Sequence, residues 1–251
     1  MRRAAARSQC ANNLKQIAFG LHAYGDQQVK GQPADAAKPW LPAGTVFNSA
    51  LPPERRLSWI VDVLPYVEQE TLYRRIDRTL AWDDAANVAA VRTSLRLFRC
   101  PDWADNVSPN QDERTPYVGV AGLGANAATF PAGHRRAGVF GFDRHTALAD
   151  ITDGTANTLL ILETARENGA WAAGGRATLR GLDPESRPHL GTGRPFGGTH
   201  FAEKSFFGRG GSIGCNAALA DGSVRFLHET AAADVLEGAA TIAGGEKLAG
   251  W

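Results

Sequence analysis

The sequence predicts one α+β domain, and three observations carry that prediction. An apolar stripe at helical spacing runs through the first thirty residues, with Cys10, Leu14, Ile17, Leu21 and Tyr24 separated by 4, 3, 4 and 3 positions. After Cys100-Pro101 the texture changes to short apolar runs punctuated by Gly, Pro and Asn. Near the C-terminus, Asp221-Gly222 joins two apolar segments in the manner of a β-hairpin.

The elements follow in order. Residues 1–30 read as the first helix, its polar faces carrying Arg2, Arg3, Arg7, Asn12, Lys15 and Gln16 and its stop supplied by Gly25-Asp26. One face of this helix needs a partner, most simply a sheet within the body formed by residues 31–251. A Pro- and Ala-rich loop over residues 32–53 leads to a second helical region, Leu57 to Ile76, which Pro65 should kink or split. A third helix is expected over Asp84–Leu97, where Val88, Val91 and Leu95 line one side. Strands are expected at Tyr117–Val120, Gly138–Phe142 and Thr158–Glu163.

The stretch Asn168–Gly214 holds 12 Gly in 47 residues, about a quarter against the usual ~7%. It is expected to form long loops over one face of the sheet, and a binding role for them would use an exposed Trp171. The hairpin Asn216–Leu227 should turn through a two-residue type I′ loop at Asp221-Gly222. A last helix is expected over Ala231–Ala240, before Gly244-Gly245.

Charge and apolar content exclude several functions. The net charge of +1 disfavours a nucleic-acid or anionic-membrane binder, which would carry a basic excess. With 43% hydrophobic residues the chain is not disordered, and no window is a twenty-residue apolar helix. A segment beginning Met1-Arg2-Arg3 has no apolar core of a secretory signal.

Few motifs carry chemistry. Gly210-Gly211-Ser212-Ile213-Gly214 spells a hydrolase nucleophile elbow, but a Gly-rich loop precedes it and a strand follows, where the motif needs strand then helix. Gly122-Leu-Gly124 followed by Ala127 spells a dinucleotide fingerprint whose helix is stopped by Phe130-Pro131. His228-Glu229 lacks the second His of a zinc pair, the six His are scattered, and Cys10, Cys100 and Cys215 form no Cys-x-x-Cys. A zinc or Cys-His site would have to be assembled entirely by the fold. The loop Asp150-Ile-Thr-Asp153-Gly-Thr155-Ala-Asn157 is the one candidate metal site. Asp150, Asp153, Thr155 and Asn157 offer the hard oxygens Ca²⁺ prefers; the competing reading is a turn in which Asp and Asn cap the backbone. No other cofactor and no catalytic residue is expected.

Several stretches in register resemble one family. They are Arg7-Ser-Gln-Cys10-Ala-Asn12-Asn13-Leu14-Lys15-Gln16-Ile17, Leu64-Pro65-Tyr66-Val67-Glu68-Gln69 and Phe98-Arg-Cys100-Pro101. Leu57-Ser58-Trp59, Tyr117 to Gly122, Ala149 to Leu160 with Asp153-Gly154-Thr155 and Asn157-Thr158, Asn216 to Leu227 with Asp221-Gly222, and Ala243-Gly244-Gly245-Glu246 complete the set. The chain resembles a family abundant in planctomycete bacteria and catalogued as a domain of unknown function, with a prepilin-type N-terminal cleavage and methylation helix. The family's C-terminal signature, His, nine residues, Asp-Gly, would place a His where this chain has Gly211.

The resemblance implies a type IV pilin-like plan, a long N-terminal helix on an antiparallel sheet with elaborated loops, and an apolar membrane helix upstream of the segment present here. It implies export, display or assembly in the cell envelope through a type II secretion-type pseudopilus, with protein partners or self-assembly, and it implies no reaction. The rival reading is an envelope solute- or glycan-binding protein using the 168–214 face; a hydrolase at Ser212 is the third. Cys10 and Cys100 lie in family-like motifs, so export would permit a Cys10–Cys100 disulfide stabilising by at most about 4–5 kcal/mol. The alternative is three buried thiols.

Overall fold

In a computed structural model, the structure describes residues 2–33, 38–104, 113–197, 200–201 and 213–245. The helices are α1 (Arg2–Gln28), α2 (Trp59–Val63), α3 (Glu70–Tyr73), α4 (Ala85–Val91), α5 (Pro101–Ala104) and α6 (Ala233–Ala239). The strands are β1 (Trp40–Leu41), β2 (Tyr117–Leu123), β3 (Thr146–Ala147), β4 (Leu159–Glu163), β5 (Leu179–Leu182), β6 (His200–Phe201), β7 (Ile213–Leu219) and β8 (Val224–His228). The fold is α+β, with a long N-terminal helix laid on a six-stranded sheet.

The apolar stripe of α1 does what its spacing predicts as far as Leu21, while Tyr24 is only half-buried. Cys10, Leu14, Ile17 and Leu21 are fully buried, and the helix lies against β7, β8 and the α2 region. Gly20 permits the approach, since a Cβ there would sit 2.7 Å from Val67 Cγ1. The helix runs past Gly25 to Gln28, beyond the stop expected from Gly25-Asp26. Pro65 splits the second helical region as expected: α2, capped by Ser58, gives way to a 3₁₀ turn at Leu64–Val67, and Glu68 closes it in the left-handed conformation. The third helix is shorter than its periodicity suggests. It ends at Val91, and Arg96–Phe98 forms a separate 3₁₀ turn.

The sheet order is β5-β2-β4-β7-β8. Its pairs are antiparallel except β2–β5, so the sheet is mixed where an antiparallel one was expected. The short β6 pairs with β7 at Gly214 and Ile213. Because β8 also pairs with Gly214, β6 must occupy the same edge of β7 as β4. Both faces of the sheet are buried. One holds Tyr117, Ala121, Ile161 and Ala218 beneath α1, and the other holds Val118, Val120, Leu162, Leu219 and Leu227 with Leu236 of α6.

Two local expectations are corrected. Gly138–Phe142 forms no strand, because the buried Arg144 guanidinium donates to the carbonyls of Gly138 and Phe140, at 2.6 and 2.7 Å, that a ladder would need. The Asp221-Gly222 turn does join β7 to β8, but through three residues. Gly222 N–H donates to Leu219 C=O at 2.9 Å, and Gly222 alone takes positive φ, +84°. That is the turn-plus-left-handed-Gly loop, not type I′.

The stretch 168–214 is also more structured than a set of loops. It supplies β5, β6 and two 3₁₀ turns, and Trp171 is 1% exposed with its Nε1 donating to Thr93 C=O at 3.1 Å. A buried Trp171 cannot serve the binding face expected of it. Among the described residues no helix is long and apolar enough to cross a membrane.

Candidate functional site

Strand register and one disulfide build the most unusual site among the described residues. Glu163 ends β4 after four apolar residues, on the α1 face of the sheet. β6 continues the same edge of β7, which sets His200 beside Glu163. Above them, Cys10 of α1 is bonded to Cys100, with Cα atoms 5.3 Å apart. Pro101 starts α5 at once, so Asp102 reaches down from its first turn. Asn13, one turn along α1 from Cys10, donates to Arg99 C=O at 2.9 Å and fixes the segment leading to Cys100.

His200 is the hub. Its Nδ1 lies 2.9 Å from Asp102 Oδ2 and its Nε2 lies 3.1 Å from Glu163 Oε2. Asn216 Nδ2 is 3.2 Å and Cys100 Sγ 3.7 Å from the same Nε2. The Asn216 backbone N–H donates to Glu163 Oε2 at 2.6 Å. Glu163 is 0% and His200 1% exposed.

Burial opposes charge on His200, but the hydrogen bond and charge of Glu163, followed by those of Asp102, hold its pKa above the ordinary value. Burial, reinforced by the Glu163 charge, pushes the phenol of Tyr117 and the thiol of Cys215 well up, so Cys215 stays a thiol. Chemically the cluster can hold a proton between carboxylates. Cys10, Cys100, Glu163 and His200 are also metal-ligating types, and their ligand atoms all lie within 4.8 Å of one another.

The Cys10–Cys100 pairing is the bond the family-like motifs leave open. Asp102, Glu163 and His200 were missed, since they are 98, 37 and 61 positions apart pairwise and match no ligand spacing. The one local signal was Glu163 itself, a carboxylate closing the apolar run Leu159–Leu162.

The Asp150–Asn157 loop has a different arrangement. Asp150 Oδ2 turns back to Ala147 N at 3.3 Å, while the Asp153 carboxylate accepts from the N–H groups of Gly244 and Gly245 at 2.8 and 3.1 Å. Asn157 Nδ2 donates to Asp153 C=O at 3.3 Å, and Thr155 C=O accepts from Asp221 N–H at 3.1 Å. The side chains of Asp150, Asp153 and Asn157 therefore cap separate stretches of backbone. Asp153→Ala should cost about 1–3 kcal/mol in denaturant unfolding, equally with and without millimolar Ca²⁺. A calcium-dependent rise in Tm that vanishes in this variant would assign the loop to the cation instead.

Ser212 and Gly211 lie outside the described residues. Gly122 lies in β2 with φ of +119°, and a Cβ there would meet Arg136 C=O at 2.2 Å. Glycine is thus required by a chain crossing, and the segment that follows is a 3₁₀ turn, Ala127–Thr129.

The family model described as "Protein of unknown function (DUF1559)" matches residues 1–234. The chain belongs to that family. No curated protein and no solved structure matches it. The match spans α1, the whole sheet and the start of α6, so the disulfide and the His200 cluster lie within the DUF1559 region.

Surface hollows lie elsewhere among the described residues, one of about 590 Å³ lined by Leu123, His134, Arg136 and Thr241 among others. A polar one of about 340 Å³ is lined by Arg166, Glu167, Arg187, Arg194 and neighbours, at the edge of the 168–214 segment. Another of about 510 Å³ lies between the end of α1 and the loop bearing the exposed Phe47, and includes Tyr24, Asp62, Arg78 and His145. Burial raises the Asp62 pKa to about 6, with Arg78 and His145 opposing the rise. A carboxylate whose folded pKa is raised stabilises least when ionised, so its contribution worsens as pH rises from ~4 through ~6. Asp62→Asn should therefore gain up to about 3 kcal/mol at neutral pH and almost nothing at pH 3. Urea unfolding across that range reads the difference.

Proposed function

We propose that this chain is a non-enzymatic, pilin-like protein of the cell envelope that acts by assembly or display. The observation that carries this reading is α1, a 27-residue helix whose buried face lies along the sheet from Cys10 onward. Its first turn is solvent-exposed at Arg3, Ala4 and Ala5, and Phe19 on its outer side is 65% exposed. A helix so placed offers a face for packing against other helices, as in a pilus-type assembly. The Cys10–Cys100 bond supports export, because disulfides persist in oxidising compartments. A structural role suits the His200 cluster as well, since both ring nitrogens face carboxylates in a closed site.

The test is made in the native cell with a C-terminally tagged gene and a photo-crosslinking residue at Phe19. Recovery in the envelope fraction, one free thiol in denatured unreduced protein, and a ladder of crosslinked copies are expected. Cytosolic recovery with three free thiols and no crosslinked copies would defeat the reading.

The second reading, an envelope solute- or glycan-binding protein, is favoured by the polar hollow at Arg166, Glu167, Arg187 and Arg194. It predicts that glycan-array or thermal-shift screening yields a ligand whose binding is lost on Arg194→Ala.

A further inference from the structure

Three kinds of metal-ligating group meet in the closed space under α1, and a disulfide is what separates them from a metal site. We propose that, when Cys10 and Cys100 are reduced, their thiolates join His200 Nε2 and a Glu163 oxygen in one tetrahedral Zn²⁺ site. The oxidised chain has no such site, so metal binding is gated by the redox state of this cysteine pair.

The geometry favours it. Zn²⁺ bonds of about 2.0–2.3 Å set tetrahedral ligand atoms roughly 3.3–3.8 Å apart. His200 Nε2 already lies 3.1 Å from Glu163 Oε2 and 3.7 Å from Cys100 Sγ, and all four ligand atoms fall within 4.8 Å of one another. Breaking the S–S bond lets the sulfurs part, and movements of about 1 Å complete the shell.

The surroundings are those of a metal site too. A ligating His commonly gives its other nitrogen to a carboxylate, which fixes the ring and its tautomer. Asp102 holds Nδ1 of His200 in that way, leaving Nε2 to face the sulfur atoms. The Asn216 backbone N–H orients Glu163. Every ligand is buried. Two thiolates with an imidazole select Zn²⁺ over Ca²⁺ or Mg²⁺, which take oxygen.

The electrons balance through an external dithiol. One reductant sulfur attacks the Cys10–Cys100 bond and its second sulfur then closes the reductant's own disulfide. Two electrons and two protons pass to Cys10 and Cys100, and Zn²⁺ then displaces the two thiol protons together with the proton that His200 Nε2 shares with Glu163, all three leaving to solvent.

The experiment is a Co²⁺ titration of the whole chain, reduced with a phosphine and desalted without air, beside the same chain left oxidised. Expected for the reduced chain are one Co²⁺ per chain, the visible bands of tetrahedral thiolate cobalt, and their loss on adding Zn²⁺. Oxidised protein should show none. The bands should survive Cys215→Ala, vanish in Cys10→Ser/Cys100→Ser, and weaken about 10–100-fold in affinity in Asp102→Asn. If reduction unfolds the chain, Zn²⁺ should restore its native circular dichroism. No stoichiometric binding by the reduced chain, equal binding by the oxidised chain, or binding that survives loss of both cysteines would overturn the proposal.

Discussion

Replacing Cys10 and Cys100 together by alanine should lower the unfolding free energy by about 4–5 kcal/mol, the loop-closure value for a bond spanning 90 positions. For a chain of this size that corresponds to a fall in Tm on the order of 10 °C. The bond ties α1 to the segment around Cys100, so its loss frees the helix and that segment together in the unfolded ensemble. Urea unfolding with a chelator present keeps metal effects out of the comparison. Cys215→Ala, which removes a buried thiol but no crosslink, should cost much less. Near-equal losses in the two variants would show that the bond contributes only its packing.

Glu163→Ala should cost about 3–5 kcal/mol, because it removes one member of a buried charge cluster and leaves its partners in place. The Asn216 N–H loses its acceptor, and His200 loses the carboxylate at Nε2. Glu163→Gln keeps the shape and an oxygen acceptor, so it should cost less while still removing the charge. Amide exchange at Asn216 should quicken in the alanine variant and change little in the glutamine one. A loss below about 1 kcal/mol for Glu163→Ala would mean that water or a neighbour takes over the role of the carboxylate, the outcome expected of an exposed ion pair.

Much of the fold was legible because local rules sufficed. A stripe at 3.6-residue spacing needs no knowledge of its partner, so Leu14, Ile17 and Leu21 could be placed in the core from the sequence alone. Pro65 forbids a continuous helix wherever it sits, and it divides α2 from the 3₁₀ turn as expected. Boundaries were less legible, as the early end of α4 at Val91 shows. Gly138–Phe142 misled because its alternation is strand-like, while its carbonyls are claimed by Arg144, the side chain of a residue outside the run. Trp171 misled in a similar way: a Gly-rich neighbourhood suggests a surface loop, yet the ring fills the core against α4's end and donates to Thr93 C=O.

By itself the sequence determined the α+β class, the helix that covers the sheet and the face it buries, and the β7–β8 turn. Those depend on periodicity and backbone preference, which act over a few neighbouring residues. Only the tertiary structure decided the parallel β2–β5 pair, the three-residue form of the Asp221-Gly222 loop and the cluster of Cys10, Cys100, Asp102, Glu163 and His200. Each member of that cluster is ordinary where it stands in the chain. They meet because β6 takes up the edge of β7 where β4 ends, while the Cys10–Cys100 bond draws α5 down over α1, and no local spacing encodes either event.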